Sequence, residues 1–121
     1  MIPIYELKST EHIRTAYKDF YKKMIEEGFI QNQHQLFTYA FLVGLINNKT
    51  YDAGPKSDIC QVENIDKNNL KIIKGIALMK LNVESGDQLL KEIQSYADGG
   101  IQILMTEYEN DKTIRLDKYI D

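Results

Sequence analysis

"GFIQNQHQLFTYAFLVGLINN", residues 28–48, passes from a glycine through a polar segment into eleven almost uninterrupted apolar residues. How that run is housed decides the fold. Asn32 is placed to cap a helix, with Gln35 where a capping box returns a hydrogen bond, and the pattern predicts a helix to about Asn47. As a helix, residues 36–46 reach about 16 Å, against the ~30 Å of a bilayer core, so the run is not a membrane span. From Leu36 onward the apolar residues occupy every side. Such a helix has to be covered on more than one face, by other helices of the chain or by a second copy of it. Tyr39, Phe41 and Leu45 are the residues assigned to a contact with a second copy.

Working outward, "STEHIRTAYKDFYKKMIEEG" (residues 9–28) predicts an amphipathic helix. Ser9 or Thr10 would cap it, Glu11 suits its positive start, and Gly28 would close it. Ile13, Ala16, Tyr17, Phe20 and Met24 would form its inner face. Before it, "IPIYEL" (residues 2–7) suits a short edge strand or an extended arm. After residue 48, a turn-rich connection to residue 65 leaves room for a short strand near Ile59 to Val62. A connection of that length commonly serves a specific contact.

Asp66 then caps a third predicted helix, with Leu70, Ile73, Ala77 and Leu81 inside. Ser85 and Gln88 open a fourth through Ala97. The run Asp98-Gly99-Gly100 is expected to stop that helix through a left-handed cap, and "IQILMTEYE" makes a fifth. "NDKTIRLDKYID" would end the chain as a small strand or tail. The expected class is therefore mainly α: about five helices in one compact domain, with one or two short marginal strands.

Composition agrees with one globular unit. The 121 residues are 43% apolar and 27% charged, enough to bury roughly two thirds of the unfolded surface. Residues 1–12 show no basic region followed by an apolar segment, so no signal peptide is expected. Cys60 is the one cysteine; with no intramolecular disulfide available, a reducing cytoplasm is the expected compartment. The net charge of −3 argues against a protein that coats nucleic acid. Basic side chains outnumber acidic ones only in the first fifty residues, six to five.

A hydrolase or transferase would need a nucleophile, a base and an orienting group in one pocket. His12, His34 and Cys60 fall in three separate elements with no recognised spacing, so catalysis is not expected. No pair of cysteines or histidines has zinc spacing and no acidic loop matches an EF-hand, so no metal and no cofactor are expected. Gly99-Gly100 before a helix could cradle phosphate, but no lysine-serine pair or third glycine accompanies it. The acidic "EYEND" reads as a solvated helix end. Arg14, Lys18 and Lys22, four apart, would form a basic stripe joined by Lys23, and these four are the candidate nucleic-acid contacts.

Two resemblances add to this reading. The order of extended segment, amphipathic helix, Gly28 turn and capped apolar helix in residues 1–50 resembles the ribbon-helix-helix family of dimeric DNA-binding proteins. In that family a "G-x-x-x-[S/N]-x-S-E-x-[V/F]-x-x-A" pattern begins the second helix. Gly28, Asn32, Gln35, Leu36 or Phe37, and Ala40 fall near the corresponding places. In residues 2–7 neither alternating face carries an arginine, lysine or glutamine to read bases.

Secondly, "LFTYAFLVGL" with "NNK", "IIKGIAL" and "YADGGIQIL", spanning about residues 28–105, resemble small proteins associated with bacterial DNA phosphorothioation (Dnd) gene clusters. That resemblance implies an accessory role in DNA modification or phage defence and supplies no catalytic residue. The functional expectation is a non-catalytic accessory or adaptor protein acting by protein binding and homo-oligomerisation, with a possible protein partner from a defence system. The alternative is a dimeric nucleic-acid-binding protein of ribbon-helix-helix type.

Overall fold

The computed structural model describes residues 11–65, 69, 71, 73, 75, 76 and 86–111. Strand β1 (His12–Thr15) leads into helix α1 (Lys18–Glu26), and α2 (Gln33–Ile46) follows. Strand β2 (Ser57–Gln61) runs into a 3-10 turn at Val62–Asn64, and the long α3 (Gly86–Asp111) ends the described part. The isolated described residues Asn69, Lys71, Ile73, Gly75 and Ile76 are helical, and Ile73 is buried in the core. The strand expected at residues 2–7, the cap at Asp66 with Leu70, Ala77 and Leu81, and the chain end from residue 112 lie outside the described residues.

The expected mainly α fold of five helices is overturned. Besides the isolated helical positions between 69 and 76, the described residues form three helices and a two-stranded antiparallel sheet, a small mixed α/β arrangement. Two local differences account for the change. The first concerns residues 12–15, expected inside a helix from residue 9. They pair instead with β2 in the register His12↔Gln61, Ile13↔Cys60, Arg14↔Asp58 and Thr15↔Ser57, with Ile59 bulged between two pairs. The sequence His-Ile-Arg-Thr alternates outward and inward at period two and carries two β-branched residues, so it suits a strand. Ile13 also fits helical spacing with Tyr17 and Phe20, and pairing with β2 decides between the two periods.

The second difference is at Asp98-Gly99-Gly100, expected to end one helix and begin another. α3 runs straight through it for 26 residues. Two interior glycines cost a helix about 1 kcal/mol each relative to alanine. Here Gly100 lets α2 and α3 cross with their backbones touching, and Gly99 admits the Lys49 carbonyl after α2. A Cβ on Gly100 would stand 1.8 Å from the Ala40 carbonyl oxygen, and one on Gly44 would stand 1.9 Å from that of Tyr96. The glycines are contact points, and the helix has no reason to stop at them.

Local signals behave as read elsewhere. Gly28 sits at φ +82° after α1, with Phe29 N–H donating to Met24 O at 3.0 Å and Gly28 N–H to Ile25 O at 3.1 Å. That is a Schellman ending, and the left-handed residue is the glycine. Asn32 Oδ1 accepts from Gln35 N–H at 3.3 Å, while Gln35 Oε1 accepts from Gln31 N–H at 3.1 Å. α2 closes in the same way at Asn48 (φ +50°), where Lys49 N–H reaches Gly44 O at 2.8 Å. The core lies between α2 and α3, with Leu36, Phe37, Ala40, Phe41 and Val43 meeting Leu89, Ile93, Ala97, Ile101 and Leu104, and with Phe20, Tyr21 and Met24 of α1 beneath.

Candidate functional site

The most concentrated polar chemistry surrounds β1. Arg14 N–H donates to Gln94 Oε1 at 2.8 Å and Ala16 N–H to Asp98 Oδ2 at 3.1 Å. Residues two apart on an extended strand repeat every ~6.6 Å, and residues four apart on a helix every ~6 Å, so Gln94 and Asp98 match the strand's spacing. α3 thus takes the place of a third strand and covers the edge that β2 leaves free. Thr15 Oγ1 donates to Asp98 Oδ1 at 2.5 Å and accepts from Tyr17 N–H at 3.1 Å, completing the turn into α1.

Asp98 is fully buried, and burial pushes its carboxyl above the ordinary carboxylate value against the pull of its two hydrogen bonds and of Lys56. Beside it Tyr21 is also fully buried, with no partner for its hydroxyl; burial and then the Asp98 charge raise its pKa well above the usual range. Burial pushes the Cys60 thiol up to about 11. A closed carboxyl, a protonated thiol and an unreachable phenol hold a structure together.

Of the residues weighed for catalysis, His12 stands apart from His34 and Cys60. His12 Nδ1 lies 3.3 Å from Asp58 Oδ2, and Arg14 Nε donates to Asp58 Oδ1 at 2.8 Å, all three about half exposed on the outer face of the sheet. Cys60, paired with Ile13, is on the inner face. His34 and Cys60 do share a shallow groove of about 360 Å³ with Ile25, Gln31, Asn32, Gln33, Ile59 and Asn64. No hydrogen bond links them, and among the described residues no carboxylate lines the groove to orient the imidazole. Among the described residues no three His, Cys, Asp or Glu side chains assemble for a metal.

The expected basic stripe is divided. Arg14 belongs to β1 and is engaged by Asp58, while Lys18 and Lys22 remain one turn apart on α1. Lys23 lies 4.7 Å from the centre of the Tyr108 ring, whose hydroxyl donates to Glu27. The connection after α2 is likewise committed within the chain. Residues 57–64 form β2 and the 3-10 turn, and Tyr51 N–H donates to Ser95 O at 3.0 Å. Lys56 is 2.8 Å and Lys91 3.8 Å from Asp52, holding that carboxyl below its ordinary value, with the Lys56 hydrogen bond the larger cause.

The side of α2 turned away from α3 carries the exposed large apolar residue among those described, Ile46. Phe41, assigned to a contact with a second copy, is fully buried in its own core; Tyr39 and Leu45 are half-buried. Leu42, also half-buried, packs with Leu45 against the core, and Ile46 is 62% exposed. Sequence reading missed Leu42 and Ile46 because an all-apolar helix has no visible phase. Gly44 supplies it, since at 100° per residue Leu42 and Ile46 lie about 160° from that backbone contact.

No helix among the described residues is long and apolar enough to cross a membrane. No family model, curated protein or solved structure matches the chain.

Proposed function

We propose that this chain works by binding rather than by catalysis, as a small accessory protein that docks through the outer face of α2. The observation behind the proposal is Ile46, 62% exposed at the end of a helix with no charged side chain from Gln33 to Ile46, with Tyr39, Leu42 and Leu45 partly buried on the same side. A large apolar side chain held in water at the end of an otherwise well-packed helix is costly unless something covers it, and contiguous apolar patches mark contact sites. The resemblance to small proteins of DNA phosphorothioation clusters supplies the setting, an accessory role in bacterial DNA modification or phage defence. Co-purification from the host with tagged wild type and with a Leu42→Glu, Ile46→Glu double variant tests the reading. Capture by the wild type that the variant loses supports it, and identical capture by both rejects it.

The alternative, a nucleic-acid binder of ribbon-helix-helix type, has the order of β1, α1 and α2 in its favour. Its ribbon strand, expected at residues 2–7, lies outside the described residues, and it loses Arg14 to Asp58. Its remaining contacts would be Lys18, Lys22 and Lys23. Replacing those three by alanine should then weaken binding and flatten its salt dependence by about three charges' worth.

A further inference from the structure

We infer that the cleft between α1 and α3 binds a small zwitterion, an α-amino acid with an apolar side chain. No residue of α2 lines this cleft, so the inference stands apart from the reading above.

The cleft measures about 270 Å³ and is lined by Asp19, Phe20 and Lys23 of α1 and by Met105, Tyr108 and Glu109 of α3. Its floor is apolar, with Phe20 buried and Met105 and Tyr108 half-buried. The Tyr108 ring stands edge-on to Phe20 at 6.3 Å and to Phe29 at 6.1 Å, and its hydroxyl donates to Glu27. Those contacts hold the ring in place as a wall of the cleft.

The rim carries both signs of charge. Asp19 and Lys23 lie one turn apart on α1, the spacing at which a carboxylate and an ammonium pair, with the acid in the favoured N-terminal place. Here they do not pair, and Lys23 Nζ stands 4.7 Å from the centre of the Tyr108 ring. Among the described residues neither Asp19 nor Glu109 has an ion-pair partner.

Charge complementarity selects the occupant. A cation alone would be opposed by Lys23, and an anion alone by Asp19 and Glu109. An α-amino acid bears an ammonium and a carboxylate on one carbon, so it can face the acids and Lys23 together while its side chain lies on Phe20, Met105 and Tyr108. An apolar floor with a few placed polar groups is the usual make-up of a small-molecule site. A ligand of about a dozen non-hydrogen atoms, at ordinary efficiency, binds such a site with a dissociation constant of the order of 1 mM.

Titration of the isotope-labelled full chain with L-phenylalanine, followed through its amide chemical shifts, tests the inference. The expected result is a saturable change centred on residues 19–23 and 105–109, half complete near 1 mM, the order of magnitude given above. Phenethylamine, which lacks the carboxylate, and hydrocinnamate, which lacks the ammonium, should each bind about fivefold more weakly, the worth of a part-exposed ion pair. Lys23→Gln should abolish the preference over phenethylamine, and Asp19→Asn with Glu109→Gln the preference over hydrocinnamate. All three side chains are exposed, so circular dichroism of these variants should match the wild type. No saturable change up to about 20 mM overturns the inference. Equal binding of all three molecules does so as well, because the cleft would then recognise apolar surface alone. Phenethylamine binding as tightly as phenylalanine would overturn it in favour of a site for cationic side chains, and a preference that survives in the variants would place recognition elsewhere.

Discussion

Replacing Gly100 by alanine is the sharpest test of the α2–α3 crossing. The added methyl would stand 1.8 Å from the Ala40 oxygen, 2.7 Å from its carbonyl carbon and 2.9 Å from Gly44 N. Ordinary contact begins near 3.4 Å, and all three obstacles are backbone, which cannot swing aside as a side-chain tip can. The helices would have to separate by about 1.5 Å, a gap that already forfeits much of the dispersion energy along the crossing. Overpacking typically costs 1–3 kcal/mol, occasionally more, and a backbone obstruction belongs at the upper end. Alanine returns about 1 kcal/mol of helix propensity. The net expectation is a loss of about 2 kcal/mol, a drop of roughly 8 °C in midpoint for a domain of this size.

Urea unfolding followed by circular dichroism measures the loss as a lower midpoint at unchanged slope. Gly44→Ala approaches the same crossing from the other helix and should cost a similar amount, its Cβ standing 1.9 Å from Tyr96 O. Gly75→Ala is the control: Gly75 is helical and exposed with nothing within 4 Å, so alanine there should stabilise by up to about 1 kcal/mol. A neutral or stabilising Gly44→Ala would refute the backbone crossing. Gly99-Gly100 would then be a helix stop after all, because a stop there makes no demand on Gly44.

Asp98 should give stability a recognisable pH dependence. Its folded pKa is raised, so its contribution is fully present below the unfolded value of about 3.9 and is lost as pH rises through the folded value. The stability difference between wild type and Asp98→Asn, measured by urea unfolding from acid to neutral pH, should shrink with rising pH; a constant difference would contradict the raised pKa. Cys60, with its thiol near 11, should react with a disulfide reagent at pH 8 roughly twentyfold more slowly than an open thiol, and recover in urea. Equal rates in both conditions would show that the thiol is not shielded. Asn32→Ala removes the α2 cap and should cost about 1 kcal/mol by the same unfolding measurement, whereas no change would mean that the Gln35 bond carries nothing.

The features legible in the chain were those whose cause lies within a few residues. The Gly28 ending and the Asn32 cap follow from a left-handed glycine and from a short side chain bonding the backbone three residues on. No partner element is needed for either. The length and all-round hydrophobicity of α2 could also be read, and with them the requirement for cover on several sides. Which of its residues face outward could not, because an apolar helix gives no phase until Gly44 is seen against Tyr96. For the same reason Phe41 was assigned to a surface contact and proves to be core.

The remaining corrections have one physical origin. His12 to Thr15 satisfies both a period of two and a period near 3.6, and local propensity separates these by less energy than a paired β2 and two α3 side chains supply. Asp98-Gly99-Gly100 reads as a helix stop wherever glycine's only effect is its conformational freedom. Against α2, the missing Cβ of Gly100 permits a backbone contact that no other residue allows, and Asp98 before the pair accepts from the Thr15 hydroxyl and Ala16 N–H. Local chemistry set the caps, the turns and the hydrophobic demand of α2. Tertiary contact chose strand over helix at residues 12–15 and joined two expected helices into one, because both outcomes depend on groups more than forty residues away in the chain.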